Sequence, residues 1–363
     1  MSSHPHRRPS PGPGTSRSAQ TRVLLDTNIW SRLGDEGVTV AALDRCLADA
    51  GCRLVQAPSM LIEALQNPDD EARDRIVRGM VMARGDRLRT EADRQGDEVI
   101  AEVRRLHPEW LRQVPPVHTT ASHRRFWTTT VWKQATRKPE AFQAHYEANT
   151  EPIVQRLFDI QDAAKDEFRA NVPEKTLTLL ESWSTVAEGA DSPLPGWDGQ
   201  RAETWRVAVA ILMRHELHVV HSLSQAGYTR PSTYADWIGA HVDLRAMYAD
   251  EALTTRFFLE EVALINMPRL WLTAFAVETC QLYYKINHGN AQDQQHAAYL
   301  LDCDVFLTVD NRYSMCLELV RKRAPFPMAE TRRVSGNKGV PIMDRVRAGL
   351  ASAQPLPPAK PDL

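Results

Sequence analysis

The chain has 363 residues, 43% of them apolar and 25% charged, which is the balance of a globular protein with a sizeable core. Its formal net charge of −2 excludes a polycation, so any nucleic acid must be held through a local basic patch. The five cysteines (Cys46, Cys52, Cys280, Cys303, Cys316) form no CxxC pair, which speaks against a zinc ribbon or a disulfide framework and for reduced thiols in the cytoplasm.

Residues 1–20, rich in Ser, Pro, Gly, His and Arg, read as a disordered tail that lacks the apolar core of a secretory signal. The apolar run 22–25 stops at Asp26 and fits a buried strand of a parallel sheet, followed by the turn-forming Asp26-Thr27-Asn28. A short amphipathic helix is expected over 41–50 and a second strand over 52–56. Ser59 is expected as the N-cap of a helix that carries Leu61, Ile62, Glu63 and Leu65. Residues 68–286 show helical periodicity in four stretches (71–106, 140–170, 204–223 and 253–284), separated by prolines, with few strand signals. No segment reads as membrane-spanning, because the most apolar one, 262–277, is broken by Asn266, Pro268 and Arg269. The strand–helix alternation returns near the end: helix over 291–301, strand over 304–309, helix over 311–320. The expected fold is therefore a three-layer α/β domain with a central parallel sheet. Its first half spans 21–67, its second half 287–325, and a large mainly α-helical insertion spans 68–286. A partly disordered extension, 326–363, follows.

Asp26 and Asp310 each follow an apolar strand, at the carboxyl edge where open parallel sheets bind ligands. Glu63 and Asp293 lie in helices next to that edge. Four carboxylates brought together repel one another and raise each other's pKa, a conflict that a hard divalent cation removes. Mg²⁺ or Mn²⁺ held there can activate water and stabilise phosphate charge, which is the chemistry of phosphodiester hydrolysis.

The segment Val23-Leu24-Leu25-Asp26-Thr27-Asn28-Ile29 resembles the opening motif of PIN-domain nucleases. Residues 59–65, around Glu63, are similar to their second motif. Asp293-Gln294-Gln295-His296-Ala297-Ala298 and Asp304-Val305-Phe306-Leu307-Thr308-Val309-Asp310 are similar to the third and fourth. The resemblance implies a metal-dependent ribonuclease, an endonuclease, with Asp26, Glu63, Asp293 and Asp310 as acidic ligands of Mg²⁺ or Mn²⁺. Asn28 and Thr308 would hydrogen-bond those ligands. The long segment between Glu63 and Asp293 departs from the compact form of the family.

Alternatives accompany each assignment. Asp26 is also a plausible turn or cap residue, and Asp293 fits a capping box begun by Asn290. Asp302 and Asp304 suit a helix end and a turn. His215, His218 and His221 form an HxxHxxH run that suits a helix surface better than a metal site. Residues 118–138 combine Arg124, Arg125 and Lys133 with Phe126, Trp127 and Trp132 and hold no acid, a composition suited to single-stranded RNA or to a packed helix hairpin. Trp205, Trp237 and Trp271 sit in apolar helical patterns and are expected in the core. Competing functions are a DNA or structure-specific nuclease, or an idle scaffold whose helical part binds protein or RNA. A toxin covered by an inhibitory antitoxin protein and an oligomer are further alternatives.

Overall fold

The computed structural model describes residues 20–149, 183–184, 194–199, 202–219, 233–283, 290–334 and 339–351. Its centre is a five-stranded, all-parallel sheet made of β1 (Thr21–Leu25), β2 (Cys52–Gln56), β3 (Gly85–Arg87), β4 (Val305–Thr308) and β5 (Glu330–Arg333). Read from edge to edge the order is β3, β2, β1, β4, β5. From β1 the chain first adds strands on one side, then returns to add β4 and β5 on the other. The switch point of the sheet therefore falls between β1 and β4, the position at which open parallel sheets form a crevice.

The reason β1 reads as an unbroken apolar run is visible in its burial. Val23, Leu24 and Leu25 are all at 0–1% exposure, and successive strand residues point to opposite faces, so both faces are covered. Helix α1 (Thr27–Asp35) leaves the end of β1 and buries Ile29, Trp30 and Leu33. It packs against α4 (Asp70–Met82) and against the helix Ile342–Leu350. Helix α2 (Val40–Asp49) is capped by the Thr39 hydroxyl, which accepts from the Ala42 amide. Helix α3 (Pro58–Leu65) follows β2.

Two strands lie where the sequence signals gave none. Gly85–Arg87 falls inside the stretch read as helical insertion, yet it pairs with β2. Glu330–Arg333 falls inside the stretch read as C-terminal extension, yet it pairs with β4. Both are edge strands, short and charged, so neither carries an apolar run. At Gly85 a Cβ would stand 3.0 Å from the Leu54 carbonyl oxygen, so a larger residue would push this edge a few tenths of an ångström outward. Ser59 is also placed differently from expectation. The N-cap of α3 is Ala57, and Pro58 supplies the first helical position, where its missing N–H costs nothing.

Between β3 and β4 the regular elements of the described residues are helices, apart from the two-residue pair Trp183–Ser184 with Ala202–Glu203 and the isolated bridge Leu111–Val242. The helices include α5 (Glu91–Leu106), Val117–Arg125, Thr204–Met213 and Pro268–Trp271, several continuing through π-helical turns. Residues 150–170, 220–223 and 284 of the expected helical stretches lie outside the described residues. One hydrophobic cluster holds sheet residues such as Leu307 together with Trp132, Trp205, Phe257 and Trp271. Trp237 is also buried. Among the described residues no helix is long and apolar enough to cross a membrane.

Candidate metal centre at the switch point

β1 and β4 run side by side, with Leu25 opposite Leu307, and the Asp26 amide donates to the Leu307 carbonyl at 2.9 Å. This extra rung fixes Asp26 at the carboxyl edge of the two central strands. Asp26 stands at the N-cap of α1, but its side chain makes no capping bond. Its Oδ2 instead accepts from the Thr308 hydroxyl at 2.5 Å and from Asn28 Nδ2 at 3.2 Å. The carboxylate is only 4% exposed. A buried acid that ignores the free amides of its own helix is oriented for another purpose.

Glu63 reaches the same place from α3, with its side chain 28% exposed, and its Oε2 accepts a hydrogen bond from the Thr27 hydroxyl. The third arrival is His296, on the helix Asn290–Ala297. It is 2% exposed, and its Nε2 lies 3.6 Å from Glu63 Oε2. One candidate ligand atom from each of Asp26, Glu63 and His296 lies within 4.8 Å of the other two.

Asp293 and Asp310 flank this trio without joining it. The Asp293 carboxylate is 3.4 Å from Gln281 Nε2, and its main-chain carbonyl accepts from the Tyr313 hydroxyl at 2.7 Å. Asp310 caps the helix Asn311–Arg321: its Oδ1 accepts from the Arg312 and Tyr313 amides at 2.7 and 2.8 Å. Thr308 joins the two acids. It is fully buried, donates to Asp26 and accepts from the Asp310 amide at 3.0 Å. The sequence pointed to Asp26, Glu63, Asp293 and Asp310 as ligands; among the described residues the atoms within 4.8 Å of one another belong to Asp26, Glu63 and His296. His296 was missed because a histidine on a short polar helix carries no signal of its own. Its position three residues after Asp293, on the same helix face, was the available clue.

The electrostatics follow from this crowding. Burial, then the Glu63 charge, push the Asp26 pKa upward against the pull of the Thr308 bond. Burial raises Glu63 as well. Asp293 is held well above the ordinary carboxylate range by burial and then by the charges of Asp26, Glu63 and Asp310. Burial drives His296 down to about 4, opposed by the Asp26 charge and the Ser59 main chain. The imidazole is therefore neutral near pH 7, the form that ligates a metal.

Compared with family models, curated proteins and solved structures, the chain gives no significant match.

The donor set suits a divalent cation. Closely placed carboxylates and a buried neutral imidazole are each disfavoured alone, and a positive ion bound among them reverses that penalty. Asp26, Glu63 and His296 would be its direct ligands.

The basic stretch 118–138 is less available than its composition suggested. Arg124 is bound to Asp93 of α5, with Nη2 to Oδ1 at 2.9 Å and Nε to Oδ2 at 3.0 Å, and it also reaches Asp97. The stretch holds no acid, but the helix beneath it supplies two. Trp132 is fully buried and donates to the Trp127 carbonyl at 2.9 Å, while Trp127 packs partly against the core. Arg125 and Lys133 are exposed. In the histidine run, His215 pairs with Glu216 at 3.0 Å and His218 with Glu251 at 3.4 Å, while His221 lies outside the described residues.

Proposed function

We propose that the chain is a divalent-metal-dependent nuclease of PIN-like design, acting on RNA. The observation that carries this reading is the convergence of Asp26, Glu63 and His296 at the switch point of a parallel sheet, with ligand atoms within 4.8 Å of one another. A divalent ion bound there supplies an activated water and charge stabilisation at the phosphate. Thr308 and Asn28 hold the Asp26 carboxylate, and Thr27 holds Glu63, so the ligands are set before any ion arrives. Asp293 lies outside this group, and the Asp26, Glu63 and Asp310 charges that hold its pKa high are the same negative field that attracts cations.

The substrate path this arrangement favours is the rim beside Asp310 rather than the 118–138 stretch. Arg312 and Arg333 are both exposed there, at the ends of the β4 and β5 side of the sheet. Arg333 is steadied by Asn311 at 2.6 Å. Two exposed guanidinium groups beside a metal site suit the phosphates of a single strand.

The test is incubation of the purified chain with labelled single-stranded RNA and single-stranded DNA of the same sequence, with chelator, Mg²⁺ or Mn²⁺. Metal-dependent internal cleavage of RNA is expected. Preference for DNA transfers the reading to a DNA nuclease, and equal cleavage in chelator removes it.

A further inference from the structure

We infer that this centre selects a transition-metal ion of the Mn²⁺ and Co²⁺ kind over Mg²⁺, because a ring nitrogen of His296 completes the ligand set of Asp26 and Glu63. The inference rests on reading the trio as a metal site, and not on any substrate. His296 is 2% exposed, and neither ring nitrogen makes a well-formed hydrogen bond, the Ser59 main chain lying near enough to favour the charged ring but not in bonding geometry. An interior histidine with a purely structural role donates its ring N–H to a carbonyl or hydroxyl, because leaving a buried polar group unsatisfied is costly. The local donors are already engaged elsewhere. Thr27 donates to Glu63, Thr308 and Asn28 donate to Asp26, and the Tyr313 hydroxyl donates to the Asp293 main chain.

The spacing around the imidazole points the same way. His296 Nε2 and Glu63 Oε2 are 3.6 Å apart, too far for a hydrogen bond. Two ligands bound to one ion at about 2.1 Å keep roughly 3–3.5 Å between them, so an ion fits where a hydrogen bond does not. A nitrogen ligand then decides the choice of metal. Mg²⁺ takes oxygen ligands and gives up its waters reluctantly, whereas imidazole raises affinity along the series from Mn²⁺ to Co²⁺ and beyond. A buried site that offers one imidazole and two carboxylates is matched to the second group.

The experiment uses the full chain, stripped with chelator, titrated calorimetrically with Mg²⁺, Mn²⁺ and Co²⁺ chlorides. Pulsed EPR of the Mn²⁺ complex reads out nitrogen ligation directly. Mn²⁺ and Co²⁺ are expected to bind at least about tenfold more tightly than Mg²⁺, and the Mn²⁺ spectrum is expected to carry a ¹⁴N coupling. His296→Gln, which offers an oxygen instead, should remove the coupling and narrow the Mn²⁺/Mg²⁺ ratio. Mg²⁺ binding as tight as Mn²⁺, or a wild-type Mn²⁺ spectrum without nitrogen coupling, overturns the inference. The wild-type spectrum decides the matter alone if His296→Gln does not fold. Nitrogen-ligated Mn²⁺ in a chain that cleaves no nucleic acid would remove the nuclease reading and leave this inference standing.

Discussion

Replacing Asp26 by Asn separates a metal ligand from a structural cap, because the two roles predict opposite effects on stability. Asn keeps the shape and an oxygen that can accept from Thr308 Oγ1, which now lies 2.5 Å from Asp26 Oδ2. It removes one negative charge from a buried site in which Asp26 and Glu63 have oxygens within 4.8 Å of each other. Two like charges that close repel by about 3 kcal/mol at an effective dielectric constant of about 20. The wild type already relieves part of this by its raised Asp26 pKa. A net gain of about 1–2 kcal/mol is therefore expected for Asp26→Asn in chelator at pH 8, or about 1–3 °C in Tm for a chain of this size. Mn²⁺ at a hundredfold excess over its Kd should stabilise the wild type by about 2.7 kcal/mol, or roughly 3–5 °C, and barely move the variant. The order of stability thus inverts between chelator and Mn²⁺. Thermal denaturation of both proteins under both conditions measures it. A variant that is less stable in chelator and shifted by Mn²⁺ as much as the wild type would show a structural carboxylate and refute the reasoning.

Further perturbations probe the surroundings of the site. Thr308→Val removes a buried donor to Asp26 and leaves the Asp310 amide without its acceptor, so it should cost about 1–3 kcal/mol of stability and about 10–100-fold in Mn²⁺ affinity, measured by melting and calorimetry. Arg312→Ala with Arg333→Ala should lower the log–log salt slope of RNA binding by roughly 0.7 per lost phosphate contact, whereas Arg124→Ala should leave that slope unchanged and lower Tm, because Arg124 is tied to Asp93; a slope change confined to Arg124→Ala would contradict both. Trp132→Ala, at a fully buried position, should cost about 3–5 kcal/mol in denaturant titration, and a loss under about 1 kcal/mol would contradict its place in the core. Glu98 is almost wholly buried, and burial pushes its pKa from 4.5 up to about 7 against the pull of Arg269. Folded and unfolded chains both carry its proton below pH 4.5, and the folded chain keeps it up to about 7. Glu98 therefore makes stability fall as pH rises through that window, by about 3 kcal/mol in total. The stability of the wild type relative to Glu98→Gln should decline by that amount between pH 4.5 and 8, and a difference independent of pH would contradict the assignment.

How much of this was legible in the sequence depended on burial. The strands Thr21–Leu25, Cys52–Gln56 and Val305–Thr308 announced themselves because both faces of a central parallel strand must be apolar. The acids that end the two central strands could be read for the same reason, since a polar residue closing such a run marks the sheet edge. Gly85–Arg87 and Glu330–Arg333 were illegible because edge strands gain their place from main-chain pairing, which leaves no side-chain pattern. Arg124 looked free because its partners, Asp93 and Asp97, are some thirty residues away in the chain. His296 was overlooked because only tertiary placement makes it a neighbour of Glu63.

We propose that the acids at the switch point hold an ion needed to cleave RNA. Single-turnover cleavage of a labelled single-stranded RNA, followed against Mn²⁺ concentration for the wild type and Asp26→Asn, tests it most directly. The wild-type rate should rise from nothing in chelator to saturation with added Mn²⁺, and the variant should stay at background throughout while remaining folded. Cleavage by the folded Asp26→Asn variant at the wild-type rate, or a wild-type rate indifferent to chelator, would contradict the account.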